Sequence, residues 1–339
     1  ERGTKHRPSR EAGRAFCSYL SRRAELAVFL AVRLLRNSLL FVACMSIAVG
    51  SCYAKISTKR VEKILKEAKR LQSEEKYSAA QKKALVVYEN FTESRSKNNS
   101  KLFDILRLLT EVSFELEEND SVFKYASIIL DKNKDHDQKL FAYKYFGHAF
   151  LEIEYYESAI FYYERCLVIG LEVQGPKGNE VGNAFGNIGN AYLDKGEYAK
   201  AIDYYLKSLA IELETLGPED SGVATTSYNL GEAYLQEEEY QEAIKYYLKC
   251  LAIELKALGP KDSAVALTYY KIGRAYYGGQ KYDEAIKYYR KCLAIDLETL
   301  GPEESGLEDT YDSLGNAYLD SRNYNAAIDA FKKCLEVEL

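Results

Sequence analysis

A chain of 339 residues that is 47% apolar can bury a sizeable core, and its 30 tyrosines, five prolines and absence of tryptophan give it an unusual balance. The net charge of −5 is uneven: residues 1–54 hold nine Lys/Arg against three Glu, +6, which leaves −11 on residues 55–339. An acidic body lacks the cationic surface that phosphate-backbone contact requires, which excludes nucleic acid as its partner.

In chain order, the first feature is a basic segment, residues 1–54, carrying an uncharged run from Asn37 to Ala54 behind Arg33 and Arg36. The apolar centre, Leu39 to Gly50, has the length of a signal-peptide core, and Cys52 and Ala54 are small residues of the kind read at a cleavage site. Ending at Cys52, "AVGSC" also resembles a bacterial lipoprotein box. The whole run is of borderline length for crossing a bilayer. Export or membrane anchoring through residues 37–54 is the expectation, and a cytoplasmic protein the alternative.

From residue 58 the pattern is helical. "ILKEAKRLQSEEKYSAAQKKAL" and "LLTEVSFELEENDSVFKYASII" predict two divergent helix pairs over 58–135, separated by the polar loop "TESRSKNNSK". Beyond residue 138 a repeat takes over. Glycines stand at 147, 189, 231, 273 and 315, 42 residues apart. Twelve residues after each comes an alanine, at 159, 201, 243, 285 and 327. A tyrosine lies three residues before each alanine and an aromatic four after it, from Tyr163 to Phe331. Apolar residues recur at three- and four-residue steps on both sides of a short polar turn, so each unit is two amphipathic helices. The glycine and alanine let helices approach closely, and the aromatic fills the space between units. "LGPEDS" stops the second helix on glycine and bars its continuation with proline, and Asp220 or Ser221 can cap the next helix.

These residues resemble tetratricopeptide repeats, and the 42-residue period with the "LGPEDS" linker resembles the kinesin-light-chain type. The resemblance implies an all-α fold, a right-handed α-α superhelical solenoid of about seven helix-turn-helix repeats, five of them over 138–339. Residue 339 falls inside a helical pattern, so continuation of the array, or self-association through the uncapped C-terminal repeat, is expected.

Cys166, Cys250, Cys292 and Cys334 share one slot of the repeat. Equivalent positions in stacked helix pairs lie about 10 Å apart, beyond the ~7 Å that a disulfide tolerates, and no metal-ligand spacing accompanies them. They read as buried thiols, with no metal and no cofactor implied. Tyrosine pairs such as 204–205 read as packing, the first ring covering the outer face. No phosphate-binding loop, nucleophile elbow or zinc-protease motif occurs, and the Ser73–Lys76 pair sits on a polar helix turn. The reading is not an enzyme.

The resemblance further implies that the first helix of each unit lines a concave groove, with ligand peptides touching the residues two before and one after the repeat glycine. Here these are Tyr145 and His148, Asn187 and Asn190, Asn229 and Glu232, Lys271 and Arg274, and Ser313 and Asn316. A three-residue step puts both members of a pair on one helix face. Asparagines both donate to and accept from an extended backbone, and Lys271 with Arg274 would supply a positive end for an acidic side chain or a C-terminal carboxylate. The expected function is a protein–protein interaction scaffold holding a peptide of a partner. The alternative is the sensing or docking portion of a larger signalling or enzymatic protein.

Overall fold

The computed structural model describes residues 58–93, 99–132, 135–299 and 307–338, and the signal-like stretch at 37–54 lies outside them. Residues 59–339 form one compact unit. The described residues make fourteen α-helices. They are α1 (Thr58–Ser73), α2 (Tyr77–Glu93), α3 (Asn99–Glu115), α4 (Asn119–Lys132), α5 (His136–Glu152), α6 (Tyr156–Gln174) and α7 (Asn179–Asp194). There follow α8 (Tyr198–Thr215), α9 (Ser221–Gln236), α10 (Tyr240–Ala257), α11 (Ser263–Gly278), α12 (Tyr282–Thr299), α13 (Glu308–Asp320) and α14 (Tyr324–Glu338). Among these residues no helix is long and apolar enough to cross a membrane.

Within each pair the turn is the same three-residue device. After α5, Tyr155 N–H reaches back to the Phe150 carbonyl (2.8 Å) and Glu154 N–H to Leu151 (2.9 Å), closing the helix with a left-handed residue. Glu154, Glu238, Gln280 and Arg322 take that conformation at φ near 60°, and Gly196 takes it at φ 80°. Between pairs the second helix ends on Gly217 and Gly259, at φ 89° and 92°. Asp220 and Asp262 then cap the following helices by accepting from Gly222 N (2.8 Å) and Ala264 N (2.9 Å).

From α2 onward each helix packs on the next along the chain, and the first helices of successive pairs also touch one another: α3 with α5, α7 with α9, α9 with α11, α11 with α13. Among the described residues no comparable contact joins the second helices. The array therefore curves with its first helices on the inner side, an all-α superhelical solenoid.

The core explains the repeated glycine differently from the sequence reading. A Cβ built on Gly231 would lie 2.6 Å from the Tyr247 ring, and the same holds for Gly189 with Tyr205, Gly273 with Tyr289 and Gly315 with Phe331. The glycine admits a ring from the second helix of its own pair, rather than a closer neighbouring helix. Those tyrosines are buried, from Tyr247 at 0% exposure to Tyr289 at 2%. In the two early pairs both partners change together. Ala68 stands at the glycine place with Ala84 at the ring place, and Thr110 stands with Ala126, all fully buried.

The first tyrosine of these pairs is half-buried and packs on a ring of the preceding helix: Tyr204 stacks on Tyr192 (5.4 Å), Tyr246 on Tyr234 (5.5 Å) and Tyr288 on Tyr276 (5.3 Å). Cys166, Cys250, Cys292 and Cys334 are buried thiols, and burial pushes the Cys166, Cys250 and Cys292 thiols up to about 12.

Exposed ion pairs tie three of the inter-pair linkers to the end of a later helix. Lys177 meets Glu214 (2.6 Å), Glu219 meets Lys256 (2.5 Å), and Lys261 meets Glu298.

Candidate functional site

The ten residues expected to line the groove all lie on first helices, α5, α7, α9, α11 and α13. Most are engaged in joining repeats to one another. In α7, Asn190 Oδ1 accepts from the Tyr205 hydroxyl of its own pair (2.7 Å) and from Asn229 Nδ2 of the next (3.1 Å). One repeat on, Glu232 Oε2 accepts from the Tyr247 hydroxyl (3.1 Å) and from Lys271 Nζ (2.6 Å). A single oxygen thus gathers a donor from within the pair and a donor from the following one.

The pattern frays toward both ends. His148 Nδ1 lies 2.8 Å from the Tyr163 hydroxyl, and the ring is half-buried. Burial, with Lys144 adding to it, pushes His148 down to about 4, so the imidazole is neutral. Tyr145 sits among Phe141 (4.6 Å) and Phe114 (5.7 Å), making that end of the groove an aromatic wall. Ser313 Oγ lies 3.2 Å from the Tyr270 hydroxyl, and Asn316 donates to Asp312 (2.9 Å).

Lys271 does not serve as the free positive charge expected of it. Both it and Glu232 are only 17% exposed, and their ion pair is internal to the array. Burial alone would raise the Glu232 carboxyl, but the Lys271 bond and charge, with Gln236 and Tyr247, outweigh it and hold the carboxyl below its ordinary value. The cationic end of the groove narrows to Arg274, which is exposed and makes no ion pair with the described residues.

If the tyrosine hydroxyls matter as drawn, Tyr205→Phe should cost about 0.5–1.5 kcal/mol, one net hydrogen bond, in urea unfolding followed by circular dichroism. An unchanged midpoint would mean that water replaces the hydroxyl without loss.

Two clefts open on the inner face, each of about 420 Å³. The first surrounds Arg274, with Tyr240 and Tyr277 as walls and Gln236, Ser313 and Asn316 at the rim. Gly278 leaves room for the Tyr240 ring, since a Cβ there would stand 2.3 Å from it. The second runs beside Asn183, Asn187 and Asn190 and reaches down to Ser208 and Glu212 of α8. The sequence reading passed over Asn183, Gly186 and Glu212. Its available signal was Gly186, standing where the next two repeats carry Tyr228 and Tyr270.

The tetratricopeptide-repeat family model matches residues 180–256, 223–298 and 264–337, in overlapping windows that follow these helix pairs. Residues 180–337 belong to the tetratricopeptide-repeat family. Among solved structures, this tetratricopeptide array is similar to the nearly identical repeats of a putative kinesin light chain from Podosopora anserina. That likeness has a TM-score of 0.55 and 18% identity, over 61% of this chain and 97% of the other. A second likeness is to the apo form of RapI, with a TM-score of 0.66 and 18% identity, over 82% of this chain and 76% of that one. A third is to a signal transduction ATPase with a tetratricopeptide repeat sensor from Pyrococcus horikoshii. Its TM-score is 0.69 at 16% identity, over 83% of this chain and 42% of the ATPase. Comparison with curated proteins finds no match.

Proposed function

We propose that the chain is a protein-interaction scaffold whose concave face holds an extended segment of a partner protein. Stacked repeats generate such surfaces because each pair adds one strip and needs only its neighbours for support. The observation that carries the reading is the pair of polar clefts on the inner helices, with Asn183 and Asn187 along one and the unpaired Arg274 in the other. Asparagine amides grip a backbone without demanding a sequence, and Arg274 adds a fork for a carboxylate.

Asn190, Asn229, Glu232 and Lys271 hold the array together, so they are poor probes of the groove. The test is a random-peptide display selection on the full chain, repeated on a variant with Asn183→Ala, Asn187→Ala and Arg274→Ala. The selected peptides should bind the variant about tenfold or more weakly while its helical circular dichroism is unchanged. Peptides that bind both forms equally would move the interaction off the inner face.

A second reading, the sensing portion of a signalling protein, is favoured by the likeness to the repeat-bearing ATPase from Pyrococcus horikoshii, which spans 83% of this chain. It uses the same groove, and joining the chain to further domains of the encoding gene would separate it from a free-standing scaffold.

A further inference from the structure

One repeat of the inner face is built differently from those that follow it. Each of three consecutive second helices carries a buried polar triad that crosses to the next first helix. In α8, the Ser208 hydroxyl shares its proton between the Gly182 carbonyl (2.8 Å) and Glu212 Oε1 (2.9 Å), and Glu212 Oε1 also accepts from Thr226 Oγ1 of α9 (2.9 Å). In α12, Cys292 Sγ stands 3.1 Å from Asp296 and 3.7 Å from Thr310. Cys250, Glu254 and Thr268 occupy the same places between them.

The cover over the triads differs. In the α9 and α11 repeats the first helix places a tyrosine there, Tyr228 and Tyr270, each packed 5.6 Å from the buried ring of its pair. The negative charge of Glu254 is close enough to help raise the Tyr228 hydroxyl. In α7 the equivalent residue is Gly186. A Cβ there would meet only Ser208 Oγ, at 3.3 Å, with otherwise open space. The place that a tyrosine ring fills in the next two repeats is therefore left open, and the cleft beside Asn183 and Asn187 reaches past it to Glu212.

At the floor of that slot, Glu212 Oε1 accepts from Thr226 and shares the Ser208 proton with the Gly182 carbonyl, while its Oε2 is buried with no hydrogen-bond partner among the described residues, as is Glu254 Oε2 one repeat on. A buried carboxylate oxygen without a donor is costly, and a donor supplied by a ligand recovers that cost. The charged residues lining the cleft are Glu180, Glu212 and Lys144, two acidic and one basic, so the lining is net acidic.

We propose that the Gly186 slot takes an arginine side chain of the bound partner segment, its guanidinium meeting Glu212 Oε2 where the neighbouring repeats place a tyrosine ring of their own. This rests on the groove reading and adds to it the chemistry of one anchor. A guanidinium is flat, as the displaced ring is, and presents a fork of donors that a lysine ammonium lacks. Asn187 and Asn190 border the path of the incoming stem. Burial pushes the Glu212 carboxyl above its ordinary value, with Thr226 and Ser208 opposing the shift, Asp220 adding to it and Lys249 opposing it. An arriving cation would draw it back toward ionisation.

The test uses N-acetyl-arginine N-methylamide as the probe, with its citrulline isostere as the neutral control. Both are titrated into the isotopically labelled full chain and followed by nuclear magnetic resonance at the amides of Gly182, Gly186 and Thr226. The arginine probe should give saturable shifts there, and citrulline should bind about tenfold or more weakly. Glu212→Gln should weaken the arginine probe about as much, and Gly186→Tyr, the residue type found in the next two repeats, should abolish its shifts while the fold is kept. No shift with the arginine probe, equal binding of the two probes, or indifference to Gly186→Tyr would each overturn the proposal. The groove reading fails separately: a display-selected peptide that keeps its affinity when every arginine is changed to alanine upholds the groove and removes this anchor from it.

Discussion

Gly231→Ala should destabilise the array by about 1–3 kcal/mol, the usual cost of overpacking a filled core. The sign is informative, because glycine to alanine inside a helix ordinarily gains about 1 kcal/mol in propensity. Here the new Cβ would stand 2.6 Å from the Tyr247 ring, which is itself fully buried and cannot swing aside. Tyr247→Ala alone removes that ring and the hydroxyl bonded to Glu232, for a loss of about 3–5 kcal/mol. The double variant should be less unstable than the sum of the two by about 1–3 kcal/mol, because the clash disappears with the ring. Urea unfolding of the four proteins of this cycle measures the coupling. Strict additivity would show that the glycine has some other purpose. The protein's own early pairs carry out a version of this double change, with Ala68 facing the place of Ala84.

The second large effect is at the ion pair inside the ladder. Lys271→Met should cost about 3 kcal/mol at neutral pH, near the low end for breaking a buried pair, because it leaves Glu232 charged and only 17% exposed. The pH dependence has a definite sign. In the native protein the Glu232 carboxyl is held below its ordinary value, so its contribution is present above that value and is lost as pH falls through the lowered one. In the variant the lysine is gone and burial remains, which puts the carboxyl above its ordinary value. Protonation then relieves the folded form first, and the deficit should shrink as pH falls from about 7 toward about 4.5. Adding Glu232→Gln to Lys271→Met should recover much of the loss at neutral pH. A deficit that is the same at both pH values would mean that Lys271 contributes by packing its stem rather than by its charge.

How far the sequence reaches can be judged from the same residues. The 42-residue spacing of Gly231 and its counterparts is written along the chain, as are the apolar periodicity and the Gly-Pro stops, so the helix pairs and their order were legible. The meaning of Gly231 was not, because a glycine that admits a ring and one that admits a helix look alike in one dimension. The ladder was hidden for a related reason. Asn229 meets Asn190 and Lys271 meets Glu232 across 39 residues, one repeat less one helical step, and only the superhelical offset between pairs selects that separation. Residues chosen for a groove thus proved to be half groove and half mortar. The Gly186 slot stands between these cases. Its clue, a glycine aligned with two tyrosines, is on the page, but the carboxylate beneath it is contributed by a different helix.

Near-identical repeats raise a question of order that a single compact domain never faces. A chain whose units all look alike can zip up one unit out of step, and every hydrophobic contact would still find a partner. The linker ion pairs bear on this. The linker supplies lysine, then glutamate, then lysine, and the later helix supplies glutamate, lysine and glutamate in answer. Each bridge is exposed and, taken singly, adds little to the folded state. Displaced by one unit, however, the same groups would set lysine against lysine and glutamate against glutamate at successive joints. These charges act as serial numbers on interchangeable parts, telling each unit which neighbour it was made for.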